Sequence, residues 1–172
     1  MRVLALPRCA RYYTITIMSS TRTWQKDVAS VEQSLMVAEI LGKNFKGGET
    51  IELVSDIGGG KTTFVRGLAK GMGSSDRVSS PSFTLSNEYR AGDLTIYHFD
   101  FYRLSEPGIM ASELAEVLSD PKAVVVVEWA NIVEDVLPQE RLSITLKVSG
   151  EDSRTLSLTY PEALAYLLNG AI

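Results

Sequence analysis

The residues with the plainest chemical purpose in this sequence are Ser55-Asp56-Ile57-Gly58-Gly59-Gly60-Lys61-Thr62, followed by Thr63. A short apolar run stands before them and Phe64, Val65, Leu68 and Ala69 stand after, so the glycines lie where a strand passes into a helix. Glycines at such a junction let successive backbone N–H groups turn inward around a phosphate chain. A lysine reaches the outer phosphate oxygens, and a hydroxyl serves the magnesium ion that accompanies them. Gly58, Gly59, Gly60, Lys61, Thr62 and Thr63 are therefore the candidate nucleotide-binding residues, with Thr62 also a candidate metal ligand. One residue is unusual: Ser55 stands where such loops begin with glycine. Serine costs little there if the backbone is ordinary and is strained if it is left-handed.

A phosphate loop needs an acid at the end of a neighbouring strand to hold magnesium, directly or through water. Glu128 follows the run Ala123-Val124-Val125-Val126-Val127, and Asp100 closes residues 94–99. Lys61, Asp100 and Glu128 are the candidate catalytic residues, and Thr62, Glu128 and Asp100 the candidate metal ligands. Trp129 is either a packed aromatic or a wall of the nucleotide pocket or of a partner face. His98 reads as a structural histidine inside a strand. Arg103 either neutralises phosphate charge or pairs with Asp100. The hydroxyl-rich stretch around Pro81, residues 79–84, suits a loop that a terminal phosphate orders and hydrolysis releases, and equally a plain surface turn.

The elements that must position these residues can be read from pattern. Ser30-Val31-Glu32-Gln33 has the form of a capping box, and a helix over residues 31–45 buries Val31, Leu35, Ala38, Leu41 and Phe45 before Gly47-Gly48 ends it. Residues 50–54 form a strand and 61–70 a helix stopped by Gly71 and Gly73. Residues 85–89 and 94–100 form a hairpin about Ala91-Gly92-Asp93, and 109–118 a short helix. The run 123–127 has the composition of a central strand covered on both faces. Residues 129–136 are a loop or short helix, 142–148 and 155–159 a closing strand pair, and 162–168 a last helix with Pro161 in its first turn. Antiparallel neighbours among parallel strands make the sheet mixed.

Length and composition bound the rest. The 172 residues suit one domain, with residues 1–20 an N-terminal extension and 21–172 a single domain; Met18 is an alternative start, and residues 12–17 an alternative edge strand. Hydrophobic residues make up 45% and charged ones 22%, which excludes a disordered chain. The net charge of −4 argues against a stand-alone nucleic-acid binder, though not against RNA reached through a partner. One cysteine, Cys9, permits no internal disulfide, and with one histidine there is no structural zinc site; a reducing cytosol fits. No apolar run is long enough to span a membrane.

In order along the chain, the glycine loop with Arg66-Gly67-Leu68 behind it, residues 79–85, Asn87-Glu88-Tyr89, residues 98–104 and Glu128-Trp129-Ala130 resemble the TsaE (YjeE) family over about residues 28–160. That resemblance implies a P-loop NTPase-like α/β fold with a mixed central sheet and helices on both faces. It implies ATP and Mg2+ as cofactors, weak ATP hydrolysis, and a complex with the TsaB and TsaD proteins that makes threonylcarbamoyladenosine in tRNA, the tRNA met only through the complex. By the same likeness Lys61 binds phosphates, Thr62 and Glu128 hold magnesium, and Asp100 assists hydrolysis or metal binding. Ser80, Ser82 and Thr84 match a switch-like segment, and Trp129 a tryptophan near nucleotide and partner. The sequence departs from the family at Ser55, where glycine is usual, at Gly59, where alanine is common, and at Ser82, where threonine is usual.

Two other classes stay open on the residues alone. A small P-loop kinase needs a basic lid, and residues 104–120 contain no arginine or lysine. A nucleotide-dependent binding module needs only the loop. A GTPase is disfavoured by the absence of an Asn-Lys-x-Asp motif.

Overall fold

The computed structural model describes residues 20–171. Its frame is a seven-stranded sheet in the order β1-β7-β6-β2-β5-β4-β3. The strands are β1 (Thr21–Val28), β2 (Thr50–Val54), β3 (Ser86–Ala91), β4 (Leu94–Asp100), β5 (Ala123–Glu128), β6 (Leu142–Val148) and β7 (Arg154–Pro161). The helices are α1 (Val31–Lys43), α2 (Lys61–Met72) and α3 (Met110–Leu118), with 3-10 turns at Ala130–Val133 and Glu162–Leu168. β2 lies parallel to both β5 and β6, and β4 parallel to β5, while β1, β7, β6 and the β3–β4 hairpin pair antiparallel. The sheet is mixed, as the hairpin patterns require.

Because strand side chains alternate in direction, each strand divides its residues between two cores. Ile51, Leu53, Ile96, Val124 and Val126 pack under α1, α2 and the C-terminal 3-10 turn. Phe99, Val125 and Val127 face the other way, against Leu114 of α3 and Val133. Every residue of β5 is buried, as its unbroken apolar run demands. Helices thus stand on both faces, but the second face is covered only over β4 and β5. Over β6 and β7, Ser143, Thr145, Thr155, Ser157 and Thr159 alternate with buried leucines and isoleucine and are partly or fully exposed.

α1 and α2 approach one another through small residues. A Cβ on Gly42 would lie 2.1 Å from the Leu68 carbonyl oxygen, and one on Gly71 2.1 Å from that of Glu39. This contact seats α2, and with it the glycine loop, on the sheet. Glu39 reinforces it with a bond to Lys70 of α2 (2.9 Å) and also pairs along its own helix with Lys43 (3.2 Å); the two lysines lower the pKa of its carboxyl.

Four expectations change. The α1 capping box is present, Gln33 N–H donating to Ser30 Oγ and Ala29 N–H to Gln33 Oε1. Of the expected stripe Ala38, Leu41 and Phe45 are buried, but within the helix Ser34, Val37 and Gly42 are the other buried residues in place of Val31 and Leu35. Val31, the first residue of the helix, is exposed. β1 was not anticipated: apart from Trp24 and Val28 its residues are polar, and it is held as an edge strand by pairing with β7 along its whole length. Pro161 ends β7 in an extended conformation and does not open the last turn. That turn is a 3-10 helix. The expected extension over residues 1–20 and the alternative strand at 12–17 fall, but for Ser20, outside the described residues.

Candidate nucleotide site

The loop after β2 reaches α2 through Gly58 (φ 76°) and Gly60 (φ 108°), left-handed positions that a side chain would strain. α2 begins without a side-chain cap and without an acid in its first turn. Its unpaired N–H groups and the positive end of its dipole therefore face outward, the arrangement that binds anions. Lys61 is buried, its Nζ donating to the carbonyls of Ser55 (3.0 Å) and Asp56 (3.1 Å) and lying 3.7 Å from Glu128 Oε2. A buried ammonium needs such partners.

Ser55 is not strained: the non-glycine residues at positive φ among those described are Leu85 and Trp129. Its hydroxyl donates to the Asp56 carbonyl at 3.2 Å, and a Cβ on Gly59 would lie 1.7 Å from that hydroxyl oxygen. The unusual serine therefore occupies the space that a side chain at position 59 would need.

The two acids meet through strand register. Asp100 and Glu128 are directly opposed at the ends of parallel β4 and β5, and both project to the α2 side. Both are buried. Glu128 Oε1 is 2.9 Å from His98 Nε2. Asp100 accepts from the Tyr102 N–H at 3.0 Å and, on its other oxygen, from the Ser82 hydroxyl. Ser82 Oγ is in turn 2.8 Å from Ser80 Oγ. Left-handed Leu85 (φ 66°) helps turn this segment back, its N–H bonding Pro81 O at 2.6 Å and its carbonyl accepting from Asp100 N–H at 3.0 Å.

A cleft of about 600 Å³ joins these parts. Gly58, Gly59, Gly60, Lys61, Thr62, Thr63, Asp100, Glu128 and Trp129 all line it, as do Ser80 and Ser82. Every candidate catalytic, nucleotide-binding and metal-ligating residue is thus brought to one cavity, of a size that takes a nucleotide. Trp129, left-handed at φ 58°, holds its ring 5.1 Å from Lys61 Nζ and 5.0 Å from the Tyr102 ring. Thr84 turns away to Asn87 and Pro81. Arg103 lines the cleft but stacks on the exposed Phe83 at 4.3 Å, while both Asp100 oxygens are bonded elsewhere.

Sequence reasoning misses one contributor to the site and leaves the contact of another unseen. Arg154, from β7, donates to the Gly59 carbonyl at 3.0 Å and braces the loop from across the sheet. Nothing local to Arg154 points there. His98 is buried within its strand, as a structural histidine should be, and it also touches Glu128; its place on the same strand face as Asp100, two residues earlier, brings it there.

The protein-family model described as "Threonylcarbamoyl adenosine biosynthesis protein TsaE" matches residues 28–156. The chain belongs to the TsaE family. A TsaE of Bacillus subtilis (strain 168), named a tRNA threonylcarbamoyladenosine biosynthesis protein, is 38% identical over 129 residues, covering 74% of this chain and 80% of that one. A TsaE of the same description from Nostoc sp. (strain PCC 7120) is 32% identical over 149 residues, covering 85% and 91%. The crystal structure of YdiB from Bacillus subtilis superposes with a TM-score of 0.69 at 32% identity, covering 88% of this chain and 95% of that one. The TsaE match contains the loop, the serine-proline segment and both acids, so it spans the residues that line the cleft.

Proposed function

We propose that this chain is a magnesium-dependent ATPase that acts as a nucleotide switch in the cytoplasmic complex making threonylcarbamoyladenosine in tRNA, with residues 21–172 as its single domain. Its partners on this reading are the TsaB and TsaD proteins, and tRNA is met only through them. The observation that carries the proposal is the opposed pair Asp100 and Glu128, buried at adjacent strand ends beside an uncapped glycine loop.

In this role the α2 N-terminus and the loop amides bind the phosphate chain. Lys61 exchanges its two carbonyl partners for phosphate oxygens. Thr62 and Glu128 hold magnesium, and Asp100 completes the metal shell or orients the attacking water. The donor set suits that ion: a hydroxyl and one or two carboxylates leave room for phosphate oxygens and water, whereas an all-protein cage would need more ligands. Among the described residues no group of three or more His, Cys, Asp or Glu forms such a cage. Magnesium, when bound, supplies neutralisation of the phosphate charge. Ser82 supports the switch, because any ligand that draws Asp100 toward a metal competes with its bond to the serine-proline segment.

The test is association of the wild-type chain and Lys61→Ala with TsaB and TsaD in ATP, in ADP and without nucleotide, scored together with threonylcarbamoyladenosine formed in tRNA. The wild type is expected to associate and support modification in a nucleotide-dependent manner. Lys61→Ala is expected to lose both, since the loop loses its charge at the phosphates and Arg103, which also lines the cleft, is stacked on Phe83. No association in any nucleotide state, with modification that proceeds without this chain and ATP, overturns the proposal.

A further inference from the structure

His98 is fully buried, yet it is a costly residue for a strand interior. Its Nδ1 has no hydrogen-bond partner among the described residues. A buried unpaired polar atom lowers stability, and an aliphatic side chain would avoid that penalty. What His98 does have is Glu128. In the β4–β5 register His98 faces Val126 while Asp100 faces Glu128, so the imidazole is one diagonal step from the glutamate. Nε2 lies 2.9 Å from Oε1, and with a carboxylate oxygen as acceptor Nε2 is the donor. The Tyr89 ring, 6.3 Å away and tilted by 47°, closes the other side.

Glu128 is thus divided: Oε1 is held by His98, and Oε2 points to the cleft, 3.7 Å from Lys61 Nζ. That separation is too long for a hydrogen-bonded ion pair. Opposite charges in a buried site attract; here the Ser55 and Asp56 carbonyls hold Lys61 from one side, and the His98 bond holds Glu128 from the other. We propose that His98 is a positioning residue whose Nε2–H anchors one oxygen of Glu128, so that the other stays turned into the cleft to serve a divalent cation and does not collapse onto Lys61. The proposal rests on the magnesium-nucleotide reading above.

Two variants test it. His98→Leu removes the donor at similar volume, and His98→Gln returns an N–H near the same place. ATP affinity is measured by calorimetry with magnesium and with chelator, and the ratio of the two isolates the metal. The ratio is expected to fall about tenfold in His98→Leu, the scale seen when the partner of a metal ligand is lost, and to recover in His98→Gln. A structural role alone lowers both affinities equally. An unchanged ratio in His98→Leu, or an equal loss in His98→Gln, overturns the inference. If the leucine variant does not fold, His98→Asn, whose amide is too short to reach Glu128, takes its place. A crystal structure of the donor-free variant without nucleotide gives a second readout. Glu128 closed onto Lys61 supports the tether, and an unmoved carboxylate overturns it, even if wild type binds no magnesium-ATP and the proposed function fails.

Discussion

At the scale of single residues, Ser55 and Gly59 form one steric unit. A side chain at position 59 must displace the serine, because the Ser55 hydroxyl oxygen lies 1.7 Å and its Cβ 3.0 Å from where a Gly59 Cβ would be. Gly59→Ala is therefore expected to destabilise the protein by about 1–3 kcal/mol, the usual range for overpacking. Adding Ser55→Gly should restore most of that loss, leaving only the Asp56 carbonyl, 3.1 Å from the same Cβ, to shift slightly. Urea unfolding of both single variants and the double variant measures the coupling. Additive losses would show that the two side chains do not compete for the space. The sequence displayed both departures from the family, but their being a pair was not legible, since it depends on how the loop folds back on itself.

At the scale of elements, the α1–α2 contact decides where the loop sits. Alanine in place of Gly42 raises helix propensity by about 1 kcal/mol. Its Cβ, however, would lie 2.1 Å from the Leu68 carbonyl oxygen and 2.9 Å from its carbon, which are backbone atoms and cannot rotate away. The clash should win, giving a net loss of about 1–3 kcal/mol in urea unfolding despite the better helix former. A variant as stable as wild type would mean that α2 can lift from α1 at no cost. The α2 stripe of Phe64, Val65, Leu68 and Ala69 was legible and is buried as expected. The α1 stripe was legible in part: Ala38, Leu41 and Phe45 are buried as expected, whereas Val31 is exposed, Leu35 is half-buried, and Val37 is buried beside Ala38 where α1 meets α2.

At the scale of the whole molecule, the two cores are opposite faces of the same strands, so neither can be lost alone. Trp24 packs against the core under α1 and α2, and Trp129 against the core under α3. These are the only tryptophans in the sequence. Trp24→Phe and Trp129→Phe each leave one of them as a fluorescent reporter. Each protein's fluorescence transition in urea is expected to coincide with its own circular-dichroism transition, as one cooperative unit requires. Fluorescence and circular dichroism that separate in either variant would divide the protein into two units. Among the described residues no helix is long and apolar enough to cross a membrane.

What the sequence determined by itself is whatever depends on neighbours along the chain: the glycine loop between β2 and α2, the buried run of β5, and an acid at the end of each of two strands. Such features need only strand alternation, helix periodicity and the conformational freedom of glycine. The tertiary structure decided whatever depends on register and on distant contacts. Pairing β4 with β5 set Asp100 opposite Glu128 and brought His98 to the glutamate. Pairing β6 with β7 carried Arg154 back to Gly59. Side chains separated by many residues meet only once strands choose their partners, and that choice belongs to the whole sheet.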